Sequence, residues 1–305
     1  MENLTIGTRT SDLAVYQAER VKDVLKKFDS GLEVEIEEIK TKGDKILDKP
    51  LSEIGGKGVF LKEIEKYLIE GEIDLAVHSL KDVPTSLPEG LELGAFMDEE
   101  DPRDCLVSFE YEDVEDLPNG GKVGTGSLRR KCQLLRERSD LKVVPVRGNV
   151  DTRVEKLRTE DFDALILASS GLKRLGLEDE IASYLSPDRF LPAPGQGVLA
   201  VEIKEDDHRL SSFLREVEDE RLRGKMLAER RMLEMLGGDC HVPVGAHTGF
   251  VKGEISLTAM VGSPDGQEYI EVRSKSSLEN AEQLGDEIAS SLLEAGAEKF
   301  LEMEE

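Results

Sequence analysis

KVGTGSLRRKCQLLRERSDLKVVPVRGNVDTRVEKLRTEDFDALILA, residues 122–168, passes twice through one pattern. A short apolar run, Lys122–Thr125, meets a glycine turn and then helical spacing over Ser127–Arg138. Strand Leu141–Val146 and helix Asp151–Thr159 repeat it, and a third strand, Ala164–Ala168, closes the stretch. Strands alternating with helices predict βαβ units and a mostly parallel sheet.

The same pattern extends toward the N-terminus. Leu4–Thr8 reads as a strand, Ser11–Phe28 as a helix capped by its serine, and Leu32–Ile39 as an alternating strand. Helical spacing over Phe60–Glu70 (Phe60, Ile64, Tyr67, Leu68) precedes a buried strand at Ile73–Val77. Between Thr41 and Gly58, KGDKILDKPLSEIGGKG has two glycine clusters and no periodicity, which predicts a mobile surface loop. Toward the C-terminus, FLPAPGQGVLAVEI (190–203) ends in a strand and reads as a return crossing. A long helical segment, Asp219–Leu236, then leads into the loop LGGDCHVPVG (236–245). Strands near Gly245–Phe250, Glu254–Val261 and Tyr269–Arg273 and a helix over Leu278–Glu302 complete a small α+β domain. The fold class is therefore α/β in two halves, with a small C-terminal α+β domain.

A length of 305 residues suits two or three domains, since single cores stop growing at roughly 250 residues. No apolar run is long enough to span a membrane. MENLTIGTRT enters a strand almost at once and leaves no room for a targeting segment, so the cytoplasm is the expected compartment. Three widely spaced cysteines fit a reducing compartment better than a disulfide framework. The net charge of −25 argues against nucleic acid as a partner, because neutralising phosphates needs a basic surface. Between Gly120 and Arg174, however, 13 Lys and Arg stand against 7 Asp and Glu. A solvated basic surface and an anion site both fit that excess, and arginines beside glycine turns favour the anion site.

HSLKDVP (78–84) follows a strand and places His78, Lys81 and Asp82 at its carboxyl end, where α/β sites form. Lys81 and Asp82 fit a surface ion pair, or a carboxylate that stabilises positive charge on a substrate. GTGSLRR (124–130) is a strand, a glycine turn and a helix start, and it adds the forked donors of Arg129 and Arg130. RGNVDTR (147–153) repeats the arrangement with Arg147 and Arg153, and SSGLKR (169–174) does so with Arg174. With Arg9 after the first strand, these turns predict a basic mouth suited to a ligand with several carboxylates. Cys240, in its glycine-flanked loop, leaves several readings. A metal site with His241 and His247 lacks the usual ligand spacing, and no papain-like signature surrounds it. A thiol carrying a covalent group and an unreactive loop residue remain. Cys105, in a strand-like run, and Cys132, on a helix, are expected to be buried and inert.

In this order, HSLKDVP, GTGSLRR, RGNVDTR, SSGLKRLGL, LPAPGQG and GGDCHVPVG resemble the motifs of the porphobilinogen deaminase family. Shorter matches lie between them in RTSDLAVYQA, KTKGD, GGKGVF, EDPRD and VGSPDG, so the resemblance covers nearly the whole chain. It implies two doubly wound α/β domains similar to periplasmic binding proteins and a small third domain. The expected division is 1–98 with 195–217, then 99–194, then 218–305. It implies head-to-tail condensation of porphobilinogen with loss of ammonia and release of a linear hydroxymethylbilane. The implied cofactor is a dipyrromethane attached through Cys240. Asp82 matches the catalytic aspartate, which stabilises positive charge on a pyrrole nitrogen. The implied cofactor-binding residues are Lys81, Asp82, Thr125, Ser127, Arg129, Arg130, Arg147 and Gly171. Those implied for substrate are Arg9, Ser11, Lys57, Arg147, Arg153, Arg174 and Gln196. No metal is implied. A monomer is expected, in transient contact with a downstream uroporphyrinogen synthase.

The sequence departs from the family pattern twice. Asp239 precedes the cysteine where many relatives have glycine, and its charge should raise the thiol pKa. LPAPGQG carries a proline where others have valine. A two-lobed protein that binds small anions without chemistry is the alternative reading. The third domain and its cysteine, which a binding protein does not need, argue against it.

Overall fold

The computed structural model describes residues 3–41, 61–237 and 242–301. Lys57, Cys240 and most of the loop expected between Thr41 and Gly58 lie outside the described residues. In chain order the strands are β1 (Asn3–Arg9), β2 (Glu33–Ile39), β3 (Leu75–Ser79), β4 (Leu91–Met97), β5 (Asp104–Val107), β6 (Lys122–Gly124) and β7 (Lys142–Val144). They continue as β8 (Ala164–Ala168), β9 (Ser183–Tyr184), β10 (Leu199–Lys204), β11 (Val244–Val251), β12 (Glu254–Gly262) and β13 (Tyr269–Ser276). The helices are α1 (Asp12–Phe28), α2 (Lys62–Glu70), α3 (Leu128–Glu137), α4 (Val150–Thr159) and α5 (Ser169–Arg174). After them come α6 (His208–Val217), α7 (Glu220–Met235), α8 (Ala281–Glu294) and α9 (Glu298–Leu301). None of the described helices is long and apolar enough to cross a membrane.

The chain forms two compact units. The first is Met1–Glu100 with Gly197–Arg223, and its sheet runs β2-β1-β3-β10-β4. Helix α1 shows why the local sequence folds as it does. Ser11 caps it, its hydroxyl accepting from the Ala14 N–H, while Asp12 opens it and Lys26 and Lys27 close it, complementing the helix dipole. Ala14, Gln17, Ala18, Val21 and Leu25 form its buried stripe. Ala18, Val21 and Leu25 pack with Leu4, Ile6, Leu75 and Val201 into the core of this unit.

The second unit is Asp101–Gln196 with Gly224–Glu305 and contains two sheets. The five-stranded one runs β7-β6-β8-β5-β9. Both large sheets are mostly parallel, as expected, with four of five strands running one way and a single strand reversed in each. β1 pairs parallel with β2 and β3, whereas β10 runs antiparallel between β3 and β4. Likewise β6 is parallel to β7 and β8, and β5 is antiparallel to β8 and β9. The reversed strands are the first ones reached after the chain passes from one unit to the other, and apolar periodicity carries no sign for strand direction. The sequence reading assigned no element to β4, β9 or α6, whereas the strand-like run around Cys105 is β5.

The three-stranded antiparallel sheet β11-β12-β13 carries α7 and α8. Its core joins Ala228 and Met232 of α7 with Leu257, Ala259, Leu284, Ile288 and Leu292. The single C-terminal helix expected over Leu278–Glu302 breaks instead at Gly296, whose φ of 92° is left-handed, so α8 and α9 are separate. A small cluster of Cys132, Leu191 and Met260, with Tyr269 packed on it, joins this part to helix α3 and to the segment around Leu191. The Arg136 guanidinium lies 3.8 Å from the centre of the Tyr269 ring.

At Gly285, α8 presses against the backbone of α7. A methyl group there would lie 2.6 Å from the Ala228 carbonyl oxygen and 2.9 Å from Arg231 Cβ. Backbone atoms cannot swing aside as a side chain can. Gly285→Ala is therefore expected to lower stability by about 1–3 kcal/mol despite the better helix propensity of alanine. Urea unfolding checks this, and a stabilised variant would mean that the helices can separate freely.

Candidate functional site

In the first unit, β1 and β3 run parallel with Gly7 opposite Ala76, so their carboxyl ends share one edge of the sheet. Arg9 ends β1, and β3 runs through Ser79 into one 3₁₀ turn, Leu80–Asp82. Three hydrogen bonds fix that turn. The Leu80 N–H donates to the Val198 carbonyl at 2.9 Å and the Val83 N–H to the Leu80 carbonyl at 3.0 Å. The Gln17 amide donates to the Ser79 hydroxyl at 2.8 Å. Leu80 is buried as an anchor, Lys81 is half-buried and Asp82 is exposed. The result is a solvent-facing carboxylate on a constrained backbone. Arg9 is half-buried at the same edge, and Ser11 lies close by in sequence with its hydroxyl engaged as the α1 cap.

Beneath the turn lies a polar cluster that sequence reasoning only half found. His78 Nε2 is 3.1 Å from Glu202 Oε2, and both residues are buried. Glu65 of α2 is buried too. Burial, with help from the Glu202 charge, pushes its carboxyl up to about 7. A charged residue in the middle of the apolar strand VLAVEI was the available signal for Glu202.

In the second unit, β6, β7 and β8 are parallel, so their three following turns lie at one edge. Thr125 is buried, its N–H donates to the Val144 carbonyl, and its hydroxyl accepts from the Ser127 N–H at 3.3 Å. Ser127 in turn caps α3 by accepting from the Arg130 N–H. After β7 comes half-buried Arg147, then Gly148, whose φ of 115° excludes a side chain. Arg153 Nε donates to the Gly148 carbonyl at 2.8 Å, which folds this arginine back onto the turn. Gly171 and Arg174 are both buried in α5.

Arg129 and Arg130 point inward, onto Asp104. Arg129 Nη1 donates to Asp104 Oδ2 at 2.6 Å and to the Leu191 carbonyl at 2.5 Å. Arg130 Nε donates to Asp104 Oδ1 at 3.0 Å, and its Nη1 to the Ile166 carbonyl at 3.2 Å. Gln196 Nε2 completes the group with bonds to Asp104 Oδ1 at 2.8 Å and to the Pro102 carbonyl at 2.6 Å. Burial alone would raise the Asp104 pKa, but the two guanidinium groups override it and hold the carboxyl well below the usual range. Burial lowers the Arg129 pKa, opposed by Asp104. Two cations share one anion, so the cluster keeps a surplus positive charge. Sequence reasoning missed Asp104. The signal was an acid set directly against the apolar run CLV.

The two described cysteines are fully buried, as expected. Burial pushes the Cys105 thiol up to about 12 and the Cys132 thiol up to about 11, so neither is a nucleophile near neutrality.

Comparison with known proteins adds two kinds of likeness. The family model described as porphobilinogen deaminase, dipyromethane cofactor binding domain, matches residues 4–212. The one described as porphobilinogen deaminase, C-terminal domain, matches residues 224–294. Among solved structures, a nutrient binding protein from Burkholderia cenocepacia bound to methionine is 12% identical over 75% of this chain and 94% of its own, with a TM-score of 0.43. The VFT2 domain of Bordetella pertussis BvgS is 16% identical over 74% and 92%, with a TM-score of 0.44. YhfZ from Shigella flexneri is 18% identical over 77% and 90%, with a TM-score of 0.40.

Asp104→Asn should leave two buried guanidinium groups without their counter-charge, at a loss of about 3–5 kcal/mol. The native carboxyl has a lowered pKa, so its contribution is present above its unfolded value of about 4. It is lost as pH falls through the native value. The stability gap between wild type and variant should therefore be full at pH 7 and narrow in acid below about pH 4. Guanidinium unfolding across pH measures it, and a gap that widened in acid would contradict the assignment.

Proposed function

The chain belongs to the porphobilinogen deaminase family, and from that premise we propose how its residues divide the work. The protein is a transferase of tetrapyrrole synthesis that joins porphobilinogen units head to tail, releases ammonia at each step and yields a linear hydroxymethylbilane. The family match across both parts of the chain carries this conclusion. The dipyrromethane cofactor, when bound, supplies the terminal pyrrole carbon to which the first substrate unit is joined.

The residues present suit such a polycarboxylate. Arg147, Arg153 and Arg174 stand near the strand ends of the second unit, and the Asp104 cluster of the same unit keeps a surplus positive charge. We assign Arg147, Arg153 and Arg174 to the acetate and propionate groups of cofactor and substrate. Thr125, Ser127 and Gly171 shape the turns that admit them. Arg129, Arg130 and Gln196 act from below, through the field of their cluster rather than as free forks. Arg9, Ser11 and Lys81 serve the substrate side of the first unit, together with Lys57. Asp82 is the catalytic residue. Its exposed carboxylate accepts hydrogen bonds from pyrrole N–H groups and stabilises the cation that forms as ammonia leaves. Cys240 is the anchor of the cofactor. The division 1–98 with 195–217, 99–194 and 218–305 assigns Asp82, the arginine edge and Cys240 to separate domains. We further assign the protein to the cytoplasm, as a monomer that passes its product to a uroporphyrinogen synthase.

Asp82→Asn keeps the shape of the side chain and removes its charge, and an exposed position should leave folding intact. Bilane formation is expected to drop about a hundred- to a thousandfold. A near wild-type rate would remove Asp82 from the catalytic role. For the anchor, intact mass is the measurement. Cys240→Ser should lose a surplus equal to two pyrrole units, whereas Cys105→Ser and Cys132→Ser should keep it. An adduct that survives in Cys240→Ser would overturn the attachment.

A further inference from the structure

A fourth buried carboxylate lies outside everything assigned so far. Glu229 projects from α7 into the interior of the second unit and is almost fully buried. Its two oxygens face two different segments. Oε2 accepts from the Gly195 N–H at 2.7 Å, and Oε1 accepts from the Thr248 N–H of β11 at 2.9 Å. Burial pushes the carboxyl up to about 7, against the pull of these two donors and of Lys225. An apolar side chain would avoid that penalty but would strand two buried N–H groups. Glutamine would not serve either. Its single carbonyl oxygen can occupy only one of the two oxygen positions that the donors face, and its amide nitrogen would meet the other donor head on. A carboxylate is the one side-chain end of this length that accepts from both.

The segment that Glu229 grips is the one that braces the arginines. Gly195 has a left-handed φ of 74° and precedes Gln196, which bonds to Asp104 and accepts from Arg130 Nη2 at 3.3 Å. Five residues upstream, the Leu191 carbonyl accepts from Arg129 and from the Gln133 amide. On its other side the same segment is laced to β11, where the Ala246 N–H donates to the Pro192 carbonyl at 2.9 Å. At Gly245 an added methyl group would lie 2.9 Å from Leu191 Cβ. Residues 191–196 thus form a tie with the Asp104 cluster on one face and β11 on the other. Glu229 clamps it from α7. In the chain, α7 precedes Cys240 and β11 follows it.

We propose that Glu229 is a positioning residue that sets the register between the C-terminal α+β part and the Asp104–Arg129–Arg130 cluster through residues 191–196. The consequence for cofactor loading rests on the reading of Cys240 given above, and the bond geometry does not. Two arms keep them distinct. In the first, amide hydrogen exchange is followed in the whole protein. Glu229→Gln should speed exchange at Gly195 and Thr248. Gln196→Ala, which leaves the C-terminal core intact, should also speed exchange at Thr248, because the strain passes through Gly195 and Glu229. Unchanged exchange at Thr248 in Gln196→Ala overturns the coupling, whether or not Glu229→Gln folds.

In the second arm, apo-protein is given porphobilinogen, and adduct formation is timed by intact mass per folded molecule. Glu229→Gln and Gln196→Ala should each load about tenfold more slowly than wild type. The double variant should be no slower than the worse single one, because both changes break the same tie. Leu292→Ala, a core control in the same α+β part, should load at the wild-type rate at a matched loss of melting temperature. Wild-type loading in Glu229→Gln, or effects that multiply in the double variant, overturn the proposal. If wild-type protein forms no adduct, the reading of Cys240 falls, and the exchange arm alone decides the role of Glu229.

Discussion

A carboxylate with no exposure to water must find cations or give up its charge. Asp104 finds two, and much of the second unit is arranged to keep them there. Meeting it requires β5 to begin at that residue, α3 to begin with its two arginines facing inward, and residues 191–196 to return beside them. The spare guanidinium donors then satisfy the carbonyl of Leu191 in that returning segment and the carbonyl of Ile166 in β8, a fourth piece of chain. One buried anion therefore fixes four pieces of chain that local propensity would leave independent. The same arithmetic leaves one positive charge unbalanced.

The first unit solves the opposite problem. Its Asp82 carboxylate stays in water and still keeps its place. Constraint comes from the backbone of the Leu80–Asp82 turn, with Leu80 sunk into the protein and Gln17 reaching over to Ser79. Rigid support with an accessible end is what electrostatic stabilisation of a short-lived cation needs, since reorganisation during the reaction would dissipate it. The overall charge of −25 repels a ligand rich in carboxylates, so the local excess of arginine must overcome the field of the rest of the chain at short range.

How much of this could be read beforehand depended on distance along the chain. The strand–turn–helix units, the serine cap at Ser11 and the burial of Cys105 and Cys132 are local matters, and neighbouring residues announce them. The inward turn of Arg129 and Arg130 is not local. It depends on Asp104, 25 residues away. Glu202 meets His78 across 124 residues, and Glu229 meets Gly195 across 34. Asp104 and Glu202 each stood beside an apolar run, whereas Glu229 lay in an ordinary charged helix beside Arg230 and Arg231, and nothing adjacent said which partner would meet any of them. Strand direction was hidden for a related reason, since alternation reports which face is buried and is the same read in either sense. The motif order that carried the family resemblance was legible because it is a property of the sequence itself.

The place of β10 has a consequence for how the protein is made. It lies between β3 and β4, yet it follows β4 by about a hundred residues. While the ribosome adds that stretch, at roughly 5–20 residues per second, the first sheet waits with a strand-wide gap for on the order of 5–20 seconds. β4 has no partner during that time, and the open edge of β3 presents Leu75 and Val77 beside unpaired backbone groups. The second sheet has no such wait, because all its strands arrive within residues 104–184. Synthesis from the N-terminus thus completes the later sheet first, and the nascent chain must shield the earlier one until its missing strand emerges.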